Sequence, residues 1–245
     1  MPSIVRTTIG DIAMWVRQGP QAAWDIGTSQ AVITGDEYGL HPFLHSPLRH
    51  EVRTVVDIGA NIGAFTLAAR RMFPNARVIA VEPDPENNEL LRRNCGDDSQ
   101  VTICPTAVLN DGCPNTVHLC RHELNSGGSY VRELFYQKSA PFTDSDPIEV
   151  PCRPIHDLLV DLGVNVIDLL KVDAEGSEVD IFSCLAAHRW LPKTCWIRFE
   201  WHGRESIPHL RRLLSPTHEV SIEEDGLWNA LGIAHRKELH DGVER

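Results

Sequence analysis

The chain has 245 residues, a formal charge of −11, and a composition of 42% hydrophobic and 23% charged residues. That length suits one large domain with a full core, and the composition shows no collagen-like, coiled-coil or disorder bias. The acidic balance argues against a nucleic-acid partner, and no apolar run approaches the ~18 residues that a membrane span requires.

Seven cysteines without a C-x-x-C pair read as reduced thiols, which places the protein in the cytoplasm. Asp11 and Arg17 interrupt the apolar residues of MPSIVRTTIGDIAMWVRQGP, which is not the plan of a signal peptide.

Residues 1–50 read as an N-terminal extension. Ile9 to Ala23 has helical apolar spacing, and AVITGDEYGL reads as a strand followed by a turn. Residues 51–245 form the main domain. Thr54–Ile58 is a run β-branched but for Asp57 and bounded by glycine, as expected of a strand buried on both faces. A helix over Ala64 to Met72, a strand over Arg77–Val81 and a helix over Pro85–Cys95 follow. Val101–Cys104 is a third strand, Asn115–Cys120 belongs to a β excursion, and the polar segment 121–147 reads as a long loop or flap. Beyond it come a helix over Ile155–Leu162, a strand over Val166–Val172, a helix within AEGSEVDIFSCLAAH and the strand CWIRFEW. A helix near Ser206–Leu214 and two final strands, HEVSIEED and NALGIAHR, complete the chain. Alternating β and α elements closed by an antiparallel hairpin predict an α/β fold with a mostly parallel sheet and helices on both faces.

In such a sheet the ligand lies over the carboxyl ends of the strands, where strand order reverses. The loop after the first core strand is Asp57-Ile-Gly59-Ala-Asn61-Ile-Gly63. It is D-x-G-x-x-x-G, without the middle glycine of the dinucleotide pattern and without a G-x-x-x-x-G-K-[ST] phosphate loop. A carboxylate at Asp57 repels a pyrophosphate and attracts an ammonium group, directly or through water. S-adenosylmethionine carries such a group beside its sulfonium. Glu82 ends the second strand about twenty residues on, where a carboxylate accepts hydrogen bonds from ribose hydroxyls. Pro83 and Asp84 shape the turn expected to flank the adenine.

The second informative stretch is IDLLKVDAEGSEVDIF. Lys171 and Asp173 share a face by strand alternation, and Glu175 follows at the turn into a helix. Charges at that depth need partners. Mutual pairing of Lys171 and Asp173, with Glu175 as a helix cap, is the plain structural alternative to a role in the site. RFEWHG places Glu200 and His202 on one face of the next strand end, and histidine suits proton abstraction from a hydroxyl. Asp173, Glu200 and His202 also offer ligands for a divalent metal, although hydrogen-bonded networks of this kind form without one, and a metal is not favoured. Cys113, His118, Cys120 and His122 match no zinc spacing and are read as ordinary strand residues.

With VVDIGANIGAFT, VEPDP, IDLLKVDAEGSE and FEWH in place, the chain resembles the FkbM-type methyltransferases over about residues 54–202. The resemblance implies a Rossmann-like, seven-stranded sheet and methyl transfer from S-adenosylmethionine, usually to a hydroxyl of a natural product or sugar. It implies that Asp57, Gly59, Asn61, Gly63 and Glu82 hold the cofactor, and that Asp173, Glu175 and His202 line the acceptor side. DEYGL is similar to the family's upstream segment, so Glu37 and Tyr38 are expected to close over the methionine end. The His- and Cys-rich middle, residues 113–156, departs from the family pattern.

An alcohol acceptor calls for His202 as base. A carboxylate acceptor needs none, with Lys171, Arg198 or Arg132 seating its charge. An NAD-dependent oxidoreductase and a non-catalytic binding domain are the rival classes. The expected partner is a small-molecule acceptor, with no nucleic acid and no membrane, and a homodimer is left open.

Overall fold

The computed structural model describes residues 3–122, 125–134, 146–203, 207–225 and 229–237. The chain begins with an antiparallel hairpin, β1 (Ile4–Ile9) and β2 (Ile12–Arg17), followed by helix α1 (Ala22–Ile33). The helix expected from Ile9 to Ala23 is therefore a correction. Gly10, at φ +60°, turns the chain so that Ile9 pairs with Ile12, and Ile12, Met14 and Val16 then alternate as a strand requires. The strand expected within AVITGDEYGL is also corrected: its first residues are the end of α1, where the amides of Thr34 and Gly35 both donate to the Gln30 carbonyl at 3.0 and 2.9 Å.

The core runs β3 (Thr54–Ile58), α2 (Ala64–Met72), β4 (Arg77–Val81), α3 (Pro85–Cys95) and β5 (Val101–Cys104). An excursion follows, with β6 (Ala107–Leu109), β7 (Thr116–Cys120), β8 (Tyr130–Val131) and β9 (Ile148–Pro154). The chain then returns through α4 (Ile155–Asp161), β10 (Ile167–Val172), α5 (Glu178–Ala187), β11 (Thr194–His202), α6 (Ile207–Leu214), β12 (His218–Asp225) and β13 (Asn229–Arg236).

Seven strands form one sheet in the order β12-β13-β11-β10-β3-β4-β5, while the excursion makes its own sheet, β6-β9-β7-β8. All neighbours in the large sheet are parallel except those of β13, which runs antiparallel between β11 and β12. The closing hairpin thus inserts its last strand inside the sheet. Of the segment read as a loop, 121–147, the described part contains β8 and a short turn of 3-10 helix at Arg132–Leu134. Residues 123–124 and 135–145 of that segment lie outside the described residues.

Strand alternation sorts the core into two layers. Val56, Ile58, Leu170, Val172, Ile197 and Phe199 pack with Leu158, Ile181 and Leu210 from α4, α5 and α6. Val55, Val78 and Leu169 pack with Phe65 and Ala69 of α2 and with Tyr38, Leu40 and Phe43 of the N-terminal segment. Every position of β3 is buried, Asp57 included, so its polar side chain must be satisfied from within.

At the other end of β10, the Asp168 carboxylate accepts the amides of Arg53 and Thr54 at 2.8 and 2.9 Å, fixing the entry of β3. Asp168→Ala should cost about 2 kcal/mol, the scale of hydrogen bonds to a charged acceptor. The expected readout is a lower urea midpoint at constant slope, and an unmoved midpoint would count against it.

Candidate active site

Strand order reverses between β3 and β10, the place where open α/β sheets bind ligands. A cavity of about 330 Å³ lies there, of the size small-molecule sites occupy. Its walls come from Gly59 to Ile62 after β3, Glu82 and Pro83 after β4, Lys171 and Asp173 to Glu175 around the end of β10, and Glu200 of β11. The N-terminal segment adds Trp24, Thr28 and Ser29 from α1 together with Glu37 and Tyr38, and the excursion adds Val108, Leu119 and Val131.

At the glycine end, a Cβ on Gly59 would lie 1.7 Å from the Asp173 carbonyl oxygen, and φ there is +75°. Only glycine lets the two strand-end loops meet. Gly63, at φ +97°, would bring a Cβ 2.9 Å from Leu91 and Cys95, so its absence seats α2 against α3. Asn61 adopts φ +49° and donates its amide to Glu82 Oε2 at 2.8 Å, while Glu82 Oε1 accepts the Asp84 amide at 2.8 Å. Burial pushes the Glu82 carboxyl up to about 7 against those hydrogen bonds. Pro83 lines the cavity. Asp84 does not: it caps α3 by accepting the Glu86 amide and is held by Arg121 through two bonds of 2.8 Å.

Asp57 also stands away from the cavity wall, which corrects its expected role as the cofactor's ammonium partner. It is fully buried, accepts the Thr66 hydroxyl at 2.7 Å and lies 3.5 Å from Lys171 Nζ. The reason is register. Asp57 and Lys171 are directly paired across β3 and β10, so both side chains emerge on the same face and neutralise each other.

Lys171 braces the middle of the site. Its Nζ donates to the Gly59 carbonyl at 2.6 Å, lies 3.5 Å from Asp173, and sits 5.4 Å from the centre of the Tyr38 ring. Burial alone would lower its pKa, but Asp173 and Asp57 outweigh that and raise it. The Tyr38 hydroxyl donates to Asp173 at 3.0 Å. Burial, then the charge of Asp173, raises the Glu37 carboxyl and raises the Tyr38 phenol well above its usual range.

Glu175 lines the cavity from a backbone at φ +48°, a conformation that non-glycine residues hold only when their surroundings enforce it. The enforcement comes from Glu178, whose buried carboxylate accepts the amides of Ala174 at 3.0 Å and Gly176 at 3.0 Å. The same carboxylate takes His202 Nδ1 at 2.9 Å, while His202 Nε2 lies 3.2 Å from Glu175 and 3.6 Å from Glu200. Burial would lower the imidazole pKa, but Glu175, Glu178 and Glu200 raise it well above its usual value. His202 therefore lies behind the wall with both ring nitrogens against carboxylates, not on the wall with a nitrogen free to act as base, and this corrects its expected role. Burial pushes Glu175 up to about 8, with His202 opposing and Asp173 reinforcing the shift.

The remaining expectations resolve simply. Donor atoms of Asp173, Glu175 and His202 lie within 4.8 Å of one another, and hydrogen bonds and ion pairs join Asp173 to Tyr38 and Lys171 and His202 to Glu178. His118 bonds Glu133 at 2.8 Å on the exposed side of β7, while Cys120 is buried, and among the described residues the His and Cys side chains of this segment form no group that could hold a metal ion. Two contributions were not legible in the sequence. One is Glu178, which looks like an ordinary first-turn helix residue. The other is a buried rim in which Arg17 pairs with Asp25 at 2.9 Å, Asp25 accepts the Ser126 hydroxyl, and Asn87 donates to the Ser126 carbonyl at 2.9 Å.

The unpartnered polar groups of the cavity residues fit an adenosyl cofactor. Ser29 and Asn61 both line the cavity, and the Ser29 hydroxyl and Asn61 Oδ1 are buried without a hydrogen-bond partner. A ligand with hydroxyl or amine groups there would satisfy them.

The methyltransferase FkbM domain family matches residues 57–221. Methyltransferase sdnD of Sordaria araneosa is 28% identical over 160 residues, covering 56% of this chain and 61% of that protein. The 31-O-demethyl-FK506 methyltransferase FkbM of Streptomyces tacrolimicus is 27% identical, covering 71% and 70%. The 2-O-methyltransferase NoeI of Sinorhizobium fredii is 25% identical, covering 68% and 70%. The chain thus spans about three fifths of the length of the Sordaria relative. Among solved structures, a SAM-dependent methyltransferase from Agrobacterium tumefaciens shares the fold, with a TM-score of 0.55 at 10% identity over 96% of this chain and 71% of that one.

Proposed function

The chain belongs to the FkbM methyltransferase family, and on that premise we propose that it transfers a methyl group from S-adenosylmethionine to a hydroxyl oxygen of a small molecule. The observation that carries this reading is one cavity at the strand-order reversal, whose wall combines Glu82 and Asn61, joined by a 2.8 Å hydrogen bond, with the carboxylates Asp173, Glu175 and Glu200. The names of the Streptomyces and Sinorhizobium relatives, both O-methyltransferases, support oxygen as the acceptor atom. An NAD-dependent oxidoreductase falls with the family assignment.

A carboxylate acceptor is disfavoured by charge. Glu37, Asp173, Glu175 and Glu200 line the cavity, and Lys171 is already shared between Asp57 and Asp173. Arg198 and Arg132, the other cations considered for an anionic acceptor, are not part of the wall.

When bound, the cofactor supplies a methyl carbon already activated by a positively charged sulfur. Glu82 and Asn61 would take its ribose and base, and Glu37, Tyr38 and Asp173 would face its charged end. Proton removal falls to Glu175, the raised carboxyl on the wall. His202, gripped by Glu178, orients that carboxylate and stabilises its ionised form.

Glu82→Gln should weaken S-adenosylhomocysteine binding about tenfold and also lower the unfolding temperature, because an amide nitrogen replaces one of the two oxygens that accept the Asn61 and Asp84 amides. Because binding favours the ionised carboxyl, it should also release protons between pH 6 and about 7. Calorimetry in buffers of different ionisation enthalpy reads both. The function itself is tested by mass spectrometry of purified enzyme with S-adenosylmethionine and pooled neutral hydroxyl or carboxylate acceptors. Methylation confined to the carboxylates would overturn the reading.

A further inference from the structure

A second cluster of ligating side chains lies away from the cavity. Cys184 and His188 are one turn apart on the C-terminal end of α5, so they share a face. Asp111, in the turn between β6 and β7, reaches across to both: its Oδ2 is 2.7 Å from His188 Nε2 and its Oδ1 is 3.6 Å from Cys184 Sγ. We propose that Asp111, Cys184 and His188 form a binding site for a thiophilic divalent metal ion, zinc by its ligand chemistry, independent of the methyl-transfer site.

The ligand set is one sulfur, one imidazole nitrogen and one carboxylate oxygen, each of which zinc accepts. Their atoms lie within 4.8 Å of one another. Zinc bonds of about 2.0–2.3 Å in a tetrahedron put ligand atoms about 3.3–3.8 Å apart, so the sulfur-to-oxygen separation is already suitable. The shorter nitrogen-to-oxygen contact holds a proton that the metal would replace.

Access and orientation are both built in. The side chains of His188 and Asp111 are 31% and 55% exposed, leaving an entry path and a water-facing fourth position. The thiol sits at the inner edge, on a residue only 2% exposed. The His156 ring stacks on His188 at 3.7 Å and 6°, and Trp190 Nε1 donates to His156 Nδ1 at 3.0 Å. That stack fixes the plane of the His188 ligand, as outer partners of metal-bound histidines do.

Metal binding releases the thiol proton to solvent. A bound ion would tie the end of α5 to the β6–β7 turn, at the far end of the helix whose first turn carries Glu178.

The test is a Cd²⁺ titration of the full chain after EDTA treatment, followed by the ultraviolet thiolate-to-cadmium band. The Asp173–Glu175–His202 cluster contains no sulfur and is silent in that band. One thiolate-bound ion per chain is expected, with the band absent in Cys184→Ser and affinity at least tenfold weaker in Asp111→Ala and His188→Ala. Cys184 is buried and its variant could misfold, so the exposed Asp111 provides the deciding arm. The proposal is overturned by the absence of a thiolate band at saturating Cd²⁺ or by a full band in Cys184→Ser. Unchanged affinity in Asp111→Ala overturns it equally.

Discussion

Glu175→Gln is expected to lower kcat about a hundredfold or more, the scale of a lost general base, while leaving S-adenosylhomocysteine affinity nearly unchanged. Three features single out Glu175 over His202. Glu175 lines the cavity and His202 does not. Both nitrogens of His202 face carboxylates. Burial pushes the Glu175 carboxyl up to about 8, close to a working pH, where a carboxylate is a stronger base than usual. The sign of the pH effect follows: the base must be ionised, so kcat should rise with pH and level off above about 8. His202 opposes that shift through its positive charge. His202→Gln should therefore move the rising limb to higher pH, with much of the rate recovered at the plateau. A merely structural histidine would lower the rate at every pH without moving the limb. A flat profile in the unsubstituted enzyme, or full activity in Glu175→Gln, would sink the assignment.

The parts of the fold that sequence revealed are those where local pattern and tertiary packing agree. Thr54–Ile58 is β-branched at every position except Asp57 because both of its faces are covered, and Gly59, Asn61 and Gly63 lie where the chain must take positive φ. The N-terminal hairpin escaped because Ile9, Ile12, Ala13 and Val16 satisfy a helical period while Ile12, Met14 and Val16 satisfy a strand period, and Gly10 separates the two. The site was harder to read where it depends on register. Asp57 precedes the glycine loop and looks like a cofactor ligand, but its orientation is set by Lys171, more than a hundred residues away. His202 looked like a base because two of its three carboxylate neighbours, Glu175 and Glu178, come from the turn and helix after β10 rather than from its own strand. Glu178, which shapes the turn beneath Glu175, carries no mark in sequence beyond being an acid in a first helical turn. Sequence shows which residues reach the carboxyl ends of the strands. Which of them face the ligand is decided by cross-strand pairing.

That pairing makes Lys171→Met the substitution with the largest expected cost to stability. Lys171 and Asp57 are 3% and 0% exposed at 3.5 Å, and Nζ also donates to the Gly59 carbonyl at 2.6 Å. Methionine keeps the length and removes the charge, leaving Asp57 buried with only the Thr66 hydroxyl. Breaking such a pair from one side costs about 3–5 kcal/mol at neutral pH. Burial already raises the Asp57 pKa despite Lys171, and removing the ammonium raises it further. A carboxyl whose folded pKa lies above its unfolded value contributes stability below the unfolded value and loses it as pH rises through the folded one. The deficit of the variant should therefore shrink as pH falls toward about 4, where Asp57 is protonated. Lys171→Met combined with Asp57→Asn should recover about half of the loss, because a neutral amide needs no counter-charge. Denaturant titrations of the single and double variants across that pH range measure all three quantities. A deficit that stays constant with pH, and that the second substitution deepens, would show that Lys171 acts through its contact with the Gly59 loop alone and not by neutralising Asp57.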